Sequence, residues 1–383
     1  MNVQLTRRLL FVSGAAIGLA SCDLISGKGA AQAGATLGVL TPLTGDGAVY
    51  GVATKKGVDL AVEEINAAGG VRGKPLKVVY EDDRMSATDG VSAFQRLIAT
   101  QKPSAVIGPF GSSVVLAVAP IANSAKVPIL SASATADSIA DAGDYVFRIT
   151  PPNSRQGADD AAYSWNKLGA RRAMVVFQNN EYGLTLRDAF VKKFKELGGA
   201  VVAVEGFDLG ATDYRAALGK ARSLKPDVIF FPLHSQESTL LLRQAKEQGV
   251  SAKFISADGA MTAELIEGAG PAAEGAYFST LALGFGVADQ QIDAFKAAHA
   301  KKYGAGEPDV YSAYYYEATK LLAKAIETGG TAPDQVKAAL YAMTGDKAFM
   351  GITGRTSFDA KGEVDKPFYI YQVQQGKFAL APV

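Results

Sequence analysis

From residue 36 to about residue 280, short β-rich runs alternate with helical stretches, and this alternation narrows the possible folds more than any other feature. Strands are predicted over residues 36–40, 76–80, 105–107, 127–130, 174–177, 201–207, 228–231, 254–256 and 276–279. Helical patterns lie between them, as at 52–67, 91–100, 184–197, 214–224 and 238–248. The joints are marked by Gly69-Gly70, Lys102-Pro103, Gly198-Gly199, Lys225-Pro226 and Gly249. Continuous apolar strands separated by helices belong to parallel sheets covered on both faces, so the expected class is α/β, doubly wound.

A chain of 383 residues is too long for one ordinary domain and suits two lobes. An internal echo supports two sheets. The first strand leads to Tyr50-Gly51, a helix and Gly69-Gly70; the strand at 174–177 leads to Tyr182-Gly183, a helix and Gly198-Gly199. The Tyr-to-Gly spacings are 19 and 16 residues, an echo that suggests duplication. After residue 280 the alternation stops, with helices predicted at 288–303, 310–328 and 333–343 and β-like stretches at 354–358 and 368–374. Pro151-Pro152 is the expected first crossing between lobes. The predicted organisation is one lobe from 36–150 and 281–363 and another from 151–280 and 364–383, preceded by a signal at 1–21 and a flexible tether at 22–35.

The N-terminal region reads as an export signal. Arg7-Arg8 precedes 12 apolar and small residues at 9–20, fewer than the roughly 20 that span a bilayer. Leu19-Ala20-Ser21-Cys22 resembles the lipobox of bacterial lipoproteins, which makes Cys22 the acylated first residue of the mature chain. The competing reading is cleavage after Ala31-Gln32-Ala33, which discards Cys22. Thr6-Arg7-Arg8-Leu9-Leu10 resembles a twin-arginine signal, but paired arginines are common in any such region, so the export route stays open. Residues 23–34, rich in Gly, Ala and Ser, read as the tether.

Several function classes are disfavoured. Cys22 is the single cysteine, so an intramolecular disulfide and multi-thiolate zinc sites are excluded. The 39 basic and 38 acidic side chains balance, and processing at Cys22 removes Arg7 and Arg8, so no charge excess points to nucleic acid. There are two histidines, His234 and His299, and the second is expected on a solvated helix face. Gly-x-Ser-x-Gly, His-Glu-x-x-His and Walker motifs do not occur. Gly45-Asp46-Gly47 resembles the start of a dinucleotide fingerprint, but Tyr50 occupies the third glycine position and would obstruct the close helix–strand approach. Glu81-Asp82-Asp83 reads as a solvated acidic turn rather than a magnesium site. Neither an enzyme nor a cofactor nor a metal is expected.

Ligands of open α/β sheets bind beyond the carboxyl ends of strands. The residues there are Thr41, Tyr50, 108–113, 131–135, Tyr182, His234 and Asp258. Two of these segments are hydroxyl-rich and precede helices, where aligned N–H groups attract anions. Ser112 and Thr135 serve either as helix caps or in carboxylate capture, and the sequence leaves both readings open.

Segments 36–45 (TLGVLTPLTG), 57–70 (GVDLAVEEINAAGG), 106–113 (VIGPFGSS), 128–135 and Leu242-Arg243-Gln244-Ala245 together resemble the branched-chain amino-acid-binding proteins of bacterial ABC importers. The resemblance runs from about residue 36 to the C-terminus. It implies a type I periplasmic binding fold: two Rossmann-like lobes, three crossovers and a cleft that closes on its ligand. It also implies a monomer that hands an amino acid, apolar or branched-chain such as leucine, to a membrane ABC permease. By the same resemblance, Ser112 and Thr135 meet the ligand carboxylate. Ser133 and Ala134 present backbone groups, Asp258 meets the ammonium, Tyr182 reaches in on closure and Tyr50 covers the side-chain pocket.

His234 departs from the family pattern by standing where those binders carry an aromatic ring. It either faces water or opens the pocket to polar, amide or aromatic ligands. Phe285 either lines the pocket or belongs to the core. The alternatives are a binder of another small carboxylate, aromatic acid or amide, or a ligand sensor on the same fold. Acylation at Cys22 is checked by mass spectrometry of the mature N-terminus: a lipid-modified cysteine is expected, and an unmodified start near Gly34 contradicts it.

Overall fold

The computed structural model describes residues 34–281 and 289–382; the signal, Cys22, the tether up to residue 33 and Phe285 lie outside them. The first sheet is built from β1 (Thr36–Thr41), β2 (Lys77–Asp82), β3 (Ala105–Ile107), β4 (Ile129–Ser131) and β5 (Val146–Arg148). All its pairings are parallel, in the order β2-β1-β3-β4-β5. Leu37 and Val39 of β1 are fully buried, as β-branched and aliphatic residues in a central parallel strand must be. Helices α1 (Ala48–Ala67), α2 (Ala87–Gln101) and α3 (Ser112–Ala125) make the crossovers.

The second sheet repeats the plan. Helix α4 (Asn153–Asn166) leads into β6 (Arg172–Gln178), followed by α5 (Glu181–Glu196), β7 (Ala200–Phe207), α6 (Arg215–Leu224), β8 (Val228–Phe230), α7 (Ser235–Glu247), β9 (Lys253–Ser256), α8 (Ala263–Ala269) and β10 (Tyr277–Leu281). Its parallel part runs β7-β6-β8-β9-β10. Each sheet therefore reverses direction at its first strand, β1 or β6, which places a topological switch point in each. The echoed glycines share one cause. A Cβ on Gly51 would lie 2.0 Å from the Pro42 carbonyl oxygen, and one on Gly183 would lie 2.1 Å from that of Gln178. Both helices start too close to the preceding strand for any side chain at that point.

Helices α9 (Gln290–Tyr303), α10 (Val310–Gly329) and α11 (Pro333–Tyr341) follow. Helix α10 is buried along most of its length and packs along α1 of the first lobe. The contact is close because α1 carries Gly57, where a Cβ would sit 2.1 Å from the Ser312 carbonyl oxygen. The Ser312 hydroxyl donates to the Ala53 carbonyl at 3.0 Å across the same seam. The hairpin β11 (Phe349–Gly351) and β12 (Gly354–Thr356) is fastened to α10 by a buried ion pair, Lys366–Glu317 at 3.0 Å, with Thr353 bonded to both side chains. The chain then returns to the second sheet, where β13 (Phe368–Gln374) runs antiparallel to β10 and pairs with β14 (Lys377–Leu380).

The three-residue strands β5 and β11 and the edge strand β14 carry no readable period in the sequence, because pairing rather than patterning defines runs this short. His299 corrects an expectation of solvent exposure. It is buried on α9 between Phe295 and Tyr303, aromatic residues four positions away on either side that its polar neighbours in sequence conceal. Among the described residues no helix is long and apolar enough to cross a membrane. Gly57→Ala is expected to lower stability by about 1–3 kcal/mol through overpacking of the α1–α10 seam, despite alanine's higher helix propensity, as read from urea unfolding.

Candidate ligand-binding site

The switch points of the two sheets face each other across a cavity of ≈ 180 Å³. Ser112 and Ser113 line it from the end of β3, Ser133 from the end of β4, Tyr182 from the end of β6, His234 from the end of β8 and Asp258 from the end of β9. Met85, Phe110, Asn180, Leu209 and Tyr311 complete much of the wall. Cavities of roughly 150 Å³ accept a benzene-sized molecule, so this one suits a single small solute.

One end of the cavity is arranged for an anion. Ser112 opens α3, whose first N–H groups have no intrahelical acceptors and carry the positive end of the helix dipole. The Ser112 hydroxyl oxygen accepts the Thr135 and Ala136 N–H groups, both at 3.2 Å, which leaves its own proton to donate. The Thr135 hydroxyl is buried without a partner, while the Thr135 carbonyl accepts the Asn153 N–H at 2.7 Å. The Ser133 hydroxyl donates to the Phe110 carbonyl at 2.9 Å and lies 2.9 Å from the Tyr315 hydroxyl. Ala134 turns into the apolar core, its N–H donating to the Ser131 hydroxyl and its carbonyl accepting from Thr150. Ala134 and Thr135 do not reach the cavity wall, whereas Ser112 and Ser133 do.

The other end is arranged for a cation. Asp258 begins a short 3₁₀ turn after β9 and is buried. Its Oδ1 accepts from Gln156 Nε2 at 3.3 Å and from the Tyr182 hydroxyl at 3.4 Å. Loss of water pushes its carboxyl up to about 7, and the Gln156, Gly259 and Tyr182 donors offset only part of that rise. Behind it lies a second buried acid, Asp160, which the Ser279 hydroxyl donates to at 3.1 Å and which burial also raises well above the carboxylate range. Gln156 links the two acids by donating to both Asp258 and Ser279. Sequence reasoning missed Gln156, for which a lone polar residue inside a helix gives no signal.

Tyr50 is buried beside the cavity and is absent from its wall. Its ring stacks on Phe110 at 4.3 Å and meets Tyr311 edge-on at 5.4 Å. Its hydroxyl donates to the Gly259 carbonyl at 2.6 Å and accepts the Ser235 N–H at 2.8 Å. Gly259 also donates its N–H to the Tyr182 hydroxyl at 2.9 Å. The two echoed tyrosines thus grip one peptide segment from opposite lobes. Tyr311 and Tyr315 were missed as well, although their spacing of four on an apolar helix puts them on one face. His234 precedes α7, is buried rather than facing water, and sits edge-on to Tyr50 at 5.8 Å and tilted to Tyr182 at 5.2 Å. Burial lowers its pKa to about 4, which keeps the ring neutral. Among the described residues no cluster of metal-ligating side chains occurs.

The profile of the periplasmic binding protein family matches residues 34–377. The chain belongs to that family. This binding protein is 31% identical over 363 residues to the Leu/Ile/Val-binding protein homolog 1 of Brucella melitensis, covering 94% of this chain and 95% of that one. Its structure superposes with a TM-score of 0.85 on the branched-chain amino acid transporter substrate-binding protein LivJ of Streptococcus pneumoniae, solved with isoleucine. That match has 32% identity and covers 91% of this chain and 99% of the other. A benzoate complex of an R. palustris solute-binding protein, at 22% identity and a TM-score of 0.83 over 91% and 95% of the two chains, shares the fold. Tyr50→Phe leaves the Gly259 carbonyl and the Ser235 N–H without their partner. It is expected to weaken the closed form by about 1–3 kcal/mol, seen as a larger radius of gyration in small-angle scattering.

Proposed function

We propose that this periplasmic binding protein captures a free amino acid between its two lobes and delivers it to a membrane ABC permease, without chemical conversion. The observation that carries the reading is the pairing, in one cavity, of a helix N-terminus with donor hydroxyls and a buried carboxylate. Such a site matches a zwitterion: carboxylate toward Ser112 and the start of α3, ammonium toward Asp258 and Tyr182. An aromatic carboxylate would satisfy the first end and stack on the aromatic wall, but it would leave the Asp258 charge buried and unmatched, at a cost of several kcal/mol. Thr135 and Tyr50 act from just behind the wall, the first through its unpartnered hydroxyl and the second by bridging the lobes. The relatives' branched-chain ligands support the amino-acid class.

In this reading the lobes comprise 36–150 with 281–363 and 151–280 with 364–383, a division supported by sheet membership and by the packing of α10 on α1. The protein works outside the cytoplasm, held to the membrane through an acylated Cys22, a reading that rests on the signal and lipobox pattern.

Asp258→Asn is expected to cost about 2–5 kcal/mol of amino-acid affinity by calorimetry. The pH dependence has a defined sign. With its folded pKa raised to about 7, Asp258 favours the closed empty protein in acid, and that contribution is lost as pH rises through about 7. The ligand-free protein is therefore expected to close more readily at pH 5 than at pH 8, seen as a smaller radius of gyration in small-angle scattering. An unchanged radius of gyration of the ligand-free protein from pH 5 to 8 would contradict this role of Asp258.

A further inference from the structure

We infer that the cavity selects an amino acid whose side chain donates a hydrogen bond, a hydroxyl or a carboxamide, because His234 presents it with an imidazole acceptor. The inference rests on the amino-acid reading above and adds the side-chain class.

The argument begins at Gln178, the last residue of β6. Its Nε2 donates to the Phe207 carbonyl at 3.2 Å. The reversed amide would set two oxygens against each other, so the orientation of the group is decided by its partner. Its Oε1 then faces His234, 3.5 Å from the backbone N–H and 3.4 Å from Nδ1. An oxygen that only accepts requires a proton on Nδ1. The ring is buried, and burial disfavours a second proton. Nε2 is consequently a bare lone pair. It has no protein partner among the described residues, although His234 itself lines the cavity.

An unpaired acceptor on the wall of a small cavity discriminates between ligands. A ligand donor placed there completes the hydrogen bond, whereas a methyl group of the same size leaves the lone pair desolvated and unpaired. The hydroxyls near His234 do not supply that donor from the protein: that of Tyr182, on the wall, is directed to Asp258, and that of Tyr50, behind the wall, to Gly259. An aromatic ring at this position would have no such preference.

The test uses isosteric pairs on the mature wild-type protein. A thermal-shift survey of the twenty common amino acids is followed by calorimetry with threonine against valine and asparagine against leucine. In the bound pair the donor-bearing member is expected to bind at least about tenfold tighter, and His234→Phe is expected to abolish or reverse that ratio. Equal or tighter binding of valine and leucine, as would follow if the ring met only the common ammonium, overturns the inference and leaves the amino-acid reading intact. No shift with any amino acid overturns both. Should His234→Phe fail to fold, the wild-type ratio stands alone. Long-range ¹H–¹⁵N spectra of the two imidazole rings add a check: a proton on Nδ1 of His234 is expected, and a proton on Nε2 in the ligand-free protein overturns the inference.

Discussion

Closing two α/β lobes over Asp258 takes a carboxylate out of water, and such a transfer costs several kcal/mol unless a cation and hydrogen-bond donors replace the lost solvation. The protein supplies donors from Gln156 and Tyr182 but, among the described residues, no cation, and the carboxyl remains pushed up to about 7. In the proposed reading, the missing positive charge is what a ligand ammonium brings. Closure on an empty cleft is thereby penalised, and closure on an amine is favoured. Asp160, buried behind the site and raised by the same desolvation, adds a second reluctant carboxylate to that environment.

In the same reading, the remaining parts of the site set this charge against an anion-binding end of one cavity. Helix α3 and the Ser112 hydroxyl come from the first lobe, and Asp258 from the second. Their separation is therefore set by how far the lobes close. Tyr50 bears on that distance directly, because it bridges from α1 to the Gly259 carbonyl and the Ser235 N–H. Tyr182 holds the other side of the same peptide segment. Packing of α10 on α1 through Gly57 steadies the helix that carries Tyr50, and Tyr311 on α10 buttresses its ring.

Much of this was legible in the chain. The β/α alternation, the Gly and Pro joints and the Tyr-Gly echo point to two doubly wound sheets, and the rule that ligands bind past strand ends singles out Thr41, Tyr50, 108–113, 131–135, Tyr182, His234 and Asp258, a set that includes Ser112, Ser133, Tyr182, His234 and Asp258. All five line one cavity. Other positions were misjudged because a side chain's direction depends on its neighbours. His299, with lysines and alanines beside it in sequence, is buried between aromatic rings one helical turn away. Ala134 shares the hydroxyl-rich segment with Ser133 yet turns into the core. Gln156 lies more than a hundred residues from Asp258, and only the packing of α4 against the end of β9 joins them.

The sequence by itself determined the class of fold, the strand ends at which a ligand must sit and the chemical types of group that wait there, since these follow from local periodicity and from residues adjacent to each strand. Tertiary structure alone decided which groups remain available. It commits the Tyr50 hydroxyl to the opposite lobe, turns the Gln178 Oε1 toward His234 Nδ1, and buries Asp258. Those outcomes arise from contacts between segments far apart in the chain, where burial and hydrogen-bond partners are shared across lobes and no local pattern records them.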